Sequence, residues 1–97
     1  MKIAEFQREI ERIYFERDKA RGLGGTFMWF VEEVGELATA LREPASKPEL
    51  EAEFADVLAW LCTLASISGV EMEEAIRKYA DGCPGCHRAP CECSKKE

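Results

Sequence analysis

Apolar residues recur along this chain at intervals of three and four and nowhere alternate at intervals of two, which restricts it to helices. Ile3, Phe6, Ile10 and Ile13 set the pattern, and residues 3–20 read as an amphipathic helix. Arg21-Gly22-Leu23-Gly24-Gly25 interrupts it, and Thr26 can cap a second helix running to about Arg42, with Pro44 beyond its end. Ser46-Lys47-Pro48-Glu49 has the form of a capping box with proline in the first turn, so a third helix opens there and ends near Gly69. A short fourth helix, from about Glu71 to Ala80, carries Met72, Ala75, Ile76 and Tyr79 on one face. No strand is expected, and the fold class is all-α. From Gly82 the apolar period stops and Cys, Pro and Lys take over. The chain therefore divides into a helical domain over residues 1–81 and a Cys-rich tail over residues 82–97.

A chain of 97 residues buries only roughly 60–65% of its unfolded surface. Four short helices carrying Phe27, Phe30, Trp60 and Leu64 are thus expected to complete their core by assembly, as a homodimer or homotetramer with the second and third helices at the interface. A net charge of −6 argues against a nucleic-acid groove binder, which needs a basic face to track phosphates. It does not exclude a nucleotide, because bound divalent cations reverse the local sign. Met1-Lys2-Ile3-Ala4-Glu5 turns acidic at once, without the apolar stretch of a secretory leader. No apolar run approaches the roughly 20 residues of a membrane span, so no membrane partner is expected. Four of the five cysteines fall within residues 83–93, a pattern that in a leaderless chain reads as metal binding in a reducing, cytoplasmic compartment.

The second helix carries Glu32, Glu33 and Glu36, and the third carries Glu53 and Asp56. Carboxylates at i and i+3 lie on one face, roughly 5–6 Å apart. At about 100° per residue, Glu53 falls between Trp60 and Leu64, on the side that holds Leu50, Phe54, Val57 and Leu61; Asp56 lies just off it. Glu33 and Glu36 take the equivalent edge of the second helix, beside Leu37 and Ala40. Two helices joined by a short loop then aim these groups at one another. Like charges about 5 Å apart repel by roughly 3 kcal/mol at an effective dielectric of 20, so either protons or a divalent cation must relieve them. Oxygen donors with no histidine on these helices select a hard ion, Mg²⁺ or Mn²⁺, over zinc and over a di-iron centre.

Glu32-Glu33-Val34-Gly35-Glu36, followed after sixteen residues by Glu53-Phe54-Ala55-Asp56, resembles the EExxE…ExxD signature of MazG-type nucleotide pyrophosphohydrolases, the all-α NTP pyrophosphatase superfamily. The likeness extends through Arg17-Asp18, Arg21-Gly22, Thr26-Phe27-Met28-Trp29 and Leu41-Arg42, about residues 3–80. It implies a four-helix MazG-like bundle completed by oligomerisation, with Glu33, Glu36, Glu53 and Asp56 as Mg²⁺ ligands. Glu32, in a position the family fills less uniformly, would tune the site or position water. It implies hydrolysis of an NTP or dNTP to the monophosphate and pyrophosphate. Phosphoribosyl-ATP pyrophosphohydrolase, in the same superfamily, shares the metal chemistry, and a non-catalytic helical module that binds a partner through its tail is the rival of a different class. The chain departs from the family after the fourth helix, where Lys78-Tyr79-Ala80-Asp81-Gly82 replaces the usual Asn and Arg. Arg17 and Lys78 are the candidate phosphate contacts, or else ordinary surface charges.

Trp29 precedes Glu33 by four residues and Trp60 follows Asp56 by four, so each indole stands one turn from an expected ligand. Stacking on a nucleobase or packing in the core or an interface are both open to them. Gly35 inside the second helix costs about 1 kcal/mol against alanine, which suggests a close helix approach there. In the tail, Cys83-Pro84-Gly85-Cys86 and Cys91-Glu92-Cys93 place four thiols within eleven residues. They suit Zn²⁺, with His87 as an alternative ligand and an unstructured or redox-active tail as the other reading.

Overall fold

The first two expected helices form one bent element, α1 (Ile3–Arg42), broken at a single residue: Gly22, at φ 81 and ψ 174. That conformation is closed to residues with a Cβ, and it turns the chain sharply enough to fold the first arm (3–21) away from the second (23–42). The expected five-residue interruption is therefore one residue long. Leu23, Gly24 and Gly25 are helical, and Thr26 is not a cap: its hydroxyl donates to the Gly22 carbonyl at 2.7 Å from within the helix. The computed structural model describes residues 1–94; residues 95–97 of the expected tail lie outside the described residues.

Helix α2 (Lys47–Ile67) opens on the anticipated capping box. The Glu49 N–H donates to Ser46 Oγ at 3.3 Å and the Ser46 N–H to Glu49 Oε1 at 3.1 Å. It ends in a Schellman motif, in which the Val70 N–H reaches the Ala65 carbonyl at 2.8 Å and the Gly69 N–H that of Ser66 at 3.2 Å. The expected fourth helix is one α-turn, α3 (Met72–Ala75), continued as a 3₁₀ turn (Ile76–Tyr79). There is no strand among the described residues, and no single helix there is long and apolar enough to cross a membrane.

The second arm and α2 run antiparallel, as the Trp29–Trp60 stack and the Glu33–Glu53–Asp56 cluster show. Thr26, Phe30, Glu33, Leu37 and Ala40 face Leu50, Glu53, Val57, Trp60 and Leu64, all buried or half-buried, at the alternating steps of three and four that a helical seam needs. One residue to one side of this seam, on α2, Ala59, Thr63 and Ser66 meet the first arm. One residue to the other side lie Phe27, Val31, Val34 and Leu41 on α1 and Phe54, Leu58 and Leu61 on α2, every one of them 37% to 60% exposed. In an antiparallel pair a one-residue step turns both stripes toward the same side, so they form one bare apolar face. Among the described residues the buried apolar set is only Ile10, Cys62 and Ala65.

The first arm is pinned by a polar side chain. Gln7 is fully buried; its amide donates to Ser66 Oγ at 3.1 Å and the Val70 carbonyl at 2.9 Å, and it accepts from the Met72 N–H at 2.8 Å. Gln7→Ala removes the partner of the Val70 carbonyl and the Met72 N–H and leaves a void, so it is expected to cost about 2–4 kcal/mol, read as a lower denaturant midpoint with unchanged helical content in the fold.

Candidate metal centre and substrate cavity

Glu33 and Glu53 enter the site from the inner seam itself, among Phe30, Leu37, Leu50 and Val57, whereas Asp56 comes from the side of the first arm. One ligand oxygen from each of the three lies within 4.8 Å of the others. Glu53 Oε2 is buried and has no hydrogen-bond partner. A buried carboxylate oxygen without a donor, flanked by two further carboxylates, fits an oxygen-loving divalent cation, or a shared proton in its place. Glu36, one turn on from Glu33, and the exposed Glu32 stand outside this trio, though both are near enough for their charges to act on Glu33.

Desolvation first, and then the negative charges of Asp56, Glu53, Glu36 and Glu32, raise the Glu33 carboxyl above its ordinary value. A carboxyl raised in the fold keeps its proton at pH values where the unfolded chain has lost it. Without metal, stability should therefore increase as the pH falls from neutral through the folded pKa toward the ordinary value of 4.5. A divalent cation held there would replace the proton and flatten or invert that slope. Denaturant melts at about pH 5 and about pH 7.5, with and without Mg²⁺, measure the sign.

Trp29 and Trp60 stack on each other, with ring centroids 6.1 Å apart and planes at 12°. The Arg21 guanidinium lies over the Trp60 ring at 4.9 Å. Arg21 is fixed in turn by Asp18 at 3.0 Å, and the buried Asp18 accepts from Thr63 Oγ1 at 3.1 Å on its other oxygen. Beside this group a cavity of about 210 Å³ is bounded by Tyr14, Arg17, Asp18, Arg21, Asp56 and Trp60. Asp18 and Thr63 also wall a second, more apolar cavity of about 250 Å³ on the other flank of the arm. Of the two candidate phosphate contacts, Arg17 lines the first cavity, whereas Lys78 lies over the Tyr79 ring at 5.2 Å and lines neither. Asp18 and Arg21 carried no assigned role in the sequence reading. Their signal is an acid and a base three apart, with the acid on the stripe that buries Gln7 and Ile10. Gly35 faces open space, with nothing within 4 Å of a Cβ built there, so within one chain it permits no close approach.

The tail gathers its four cysteines. Their sulfurs lie within 4.8 Å of one another, and His87 is not among them. Donation from the Glu92 N–H helps lower the Cys86 thiol to about 7. Cys93, hydrogen-bonded with Cys91, Cys83 and Cys86, is pushed up to about 12.

No curated protein matches this chain significantly. A family model, the MazG nucleotide pyrophosphohydrolase domain, matches residues 24–87, which include all five acidic residues and well over half of the sequence. With an all-helical fold that brings Glu33, Glu53 and Asp56 together, the chain belongs to the MazG nucleotide pyrophosphohydrolase family.

Proposed function

We propose that this protein is a Mg²⁺-dependent pyrophosphohydrolase that converts an NTP or dNTP to the monophosphate and pyrophosphate. The observation that carries the reading is the buried, unpartnered Glu53 oxygen between Glu33 and Asp56. Those three carboxylates would hold the metal, with Glu36 completing its shell; Mn²⁺ meets the same donor set. When bound, such an ion neutralises phosphate charge and acidifies coordinated water. Glu32, exposed and outside the trio, orients the attacking water. A pocket enclosing a whole small ligand runs to about 300–1,000 Å³, so the cavity of about 210 Å³ takes one end of the nucleotide. That end meets Trp60 and Tyr14, and Arg17 flanks the path from Asp56. Trp29 acts through Trp60, bracing its ring. A panel of NTPs and dNTPs with Mg²⁺, read by pyrophosphate release, tests the reading; no release from any of them with Mg²⁺ or Mn²⁺ would sink it.

The working unit is a homodimer or a dimer of dimers in the cytosol. A compact 10.9 kDa monomer exposes about 5,600 Å², against 7387 Å² here. Its radius of gyration should be about 12.5 Å and is 15.8 Å. The excess of about 1,800 Å² per chain is the size of half an obligate dimer interface, and the bare stripes of α1 and α2 are where a second copy would bury it. The tail sulfurs, being soft donors, take no part in the Mg²⁺ chemistry; zinc is the ion they suit.

A further inference from the structure

The second half of the tail, Cys91 and Cys93, lies beyond the residues matched by the family model. Its geometry needs its own account. The turn from Cys83 to Arg88 is closed by backbone hydrogen bonds, from the His87 N–H to the Cys83 carbonyl at 2.6 Å and from the Cys83 N–H to the Arg88 carbonyl at 3.0 Å. Gly82, at φ +98, lets the strand of chain leaving the helices pass this turn: a Cβ there would stand 3.0 Å from the Arg88 backbone. Cys91 and Cys93 then fold back over the turn, with Cys91 Sγ 3.5 Å and Cys93 Sγ 3.7 Å from Cys83 Sγ, and Cys86 Sγ 3.9 Å from that of Cys91. Arg88 pairs with Glu92 at 3.3 Å across the two halves.

Three of the four sulfurs also accept a backbone N–H: Cys83 from Gly85 at 3.3 Å, Cys86 from Glu92 at 3.3 Å and Cys91 from Cys93 at 3.4 Å. Amides aimed at sulfur favour the thiolate and orient it, as the outer partners of a metal ligand do. No residue of this segment is buried among the described residues, so it has no apolar core to hold the loop. What can hold it is an ion at the centre of the sulfurs.

We propose that Cys83, Cys86, Cys91 and Cys93 of one chain bind a single Zn²⁺ in a closed, structural site, and that residues 82–94 fold only with that ion, independently of the helices. The ion replaces the four thiol protons, leaving a four-thiolate site of net charge −2 that the amides stabilise. All four donors come from one chain, so no second copy is needed. Four sulfurs fill a tetrahedral shell, so the site offers no open position for chemistry. The inference rests on the thiols and not on the hydrolase reading, and its readout is metal binding.

The test uses the full-length protein, reduced, stripped with chelator and titrated with Co²⁺ and then Zn²⁺. Sulfur-to-cobalt charge-transfer and tetrahedral d–d bands should saturate at about one ion per chain and vanish as Zn²⁺ displaces Co²⁺. Cys86→Ser and Cys91→Ser should each weaken metal binding at least roughly tenfold, while far-UV helicity and the mass by light scattering stay unchanged with or without zinc. Absence of the charge-transfer band in the parent protein would overturn the proposal, whatever the variants do. So would one ion per two chains with a mass that falls on chelation, or zinc retained by the Cys86→Ser, Cys91→Ser double variant.

Discussion

Glu53→Gln is expected to lower Mg²⁺-dependent pyrophosphate release on the order of 1,000-fold or more, which corresponds to about 4 kcal/mol of lost metal-borne stabilisation. The same change should make the metal-free protein more stable, on the order of 1 kcal/mol after solvent screening, because it removes one of three crowded negative charges. The two effects have opposite signs, and that opposition separates a metal ligand from a residue that merely supports the fold. Glutamine keeps the shape of the side chain on the seam between Leu50 and Val57, so the helices remain. The decisive comparison is thermal melting of parent and variant with and without Mg²⁺, beside the turnover assay. The parent should gain stability from the ion and the variant should not. Unchanged turnover in Glu53→Gln would place the metal elsewhere.

The second large effect is on assembly. Val31→Glu or Leu58→Glu sets a carboxylate in the middle of the bare apolar face, and in a symmetric dimer each substitution enters twice. Burying two such charges without partners costs enough to weaken association at least 10³-fold. At micromolar concentration the parent should scatter as a dimer or tetramer and either variant as a 10.9 kDa monomer, with a lower melting temperature. A parent protein of monomer mass under those conditions would remove the assembly. The variants also report which side of the hairpin is covered, since both positions lie away from the first arm and from the cavity.

What the sequence made legible follows the physics of each signal. The start of α2 could be read because Ser46 and Glu49 satisfy each other locally, whatever the rest of the chain does. The carboxylates could be read because charges on an apolar stripe are costly in any packing, and the structure brings Glu33, Glu53 and Asp56 together. The break at Gly22 is legible but narrower than its glycines suggest: Gly24 and Gly25 cost helix propensity without leaving the helix, and only a positive φ breaks it. Asp18 and Arg21 are hidden in the sequence because the isoleucines of the first stripe suggest a different phase. Ile13 is half exposed, whereas Gln7 and Asp18, which look like surface residues, are buried. Among Phe27, Phe30, Trp60 and Leu64, expected together at a subunit contact, the last three are taken up inside the hairpin and only Phe27 stays exposed. Which of two adjacent stripes a chain spends on itself depends on where its other segments pack, and that is a property of the whole fold.

The bend at Gly22 also falls between two kinds of residue. Glu32, Glu33, Glu36, Glu53 and Asp56 lie after it, within the stretch shared with the family, while Tyr14, Arg17, Asp18 and Arg21 lie before it and outside that stretch. The first arm reaches the carboxylate-bearing hairpin mostly through its own face, and its junction with the second arm is a single residue without a side chain. Substitutions along the arm can therefore reshape the cavity wall while leaving the Glu33, Glu53 and Asp56 carboxylates where they are. On the proposed reading, the arm and the hairpin would then share the cavity wall while the hairpin alone supplies the carboxylates.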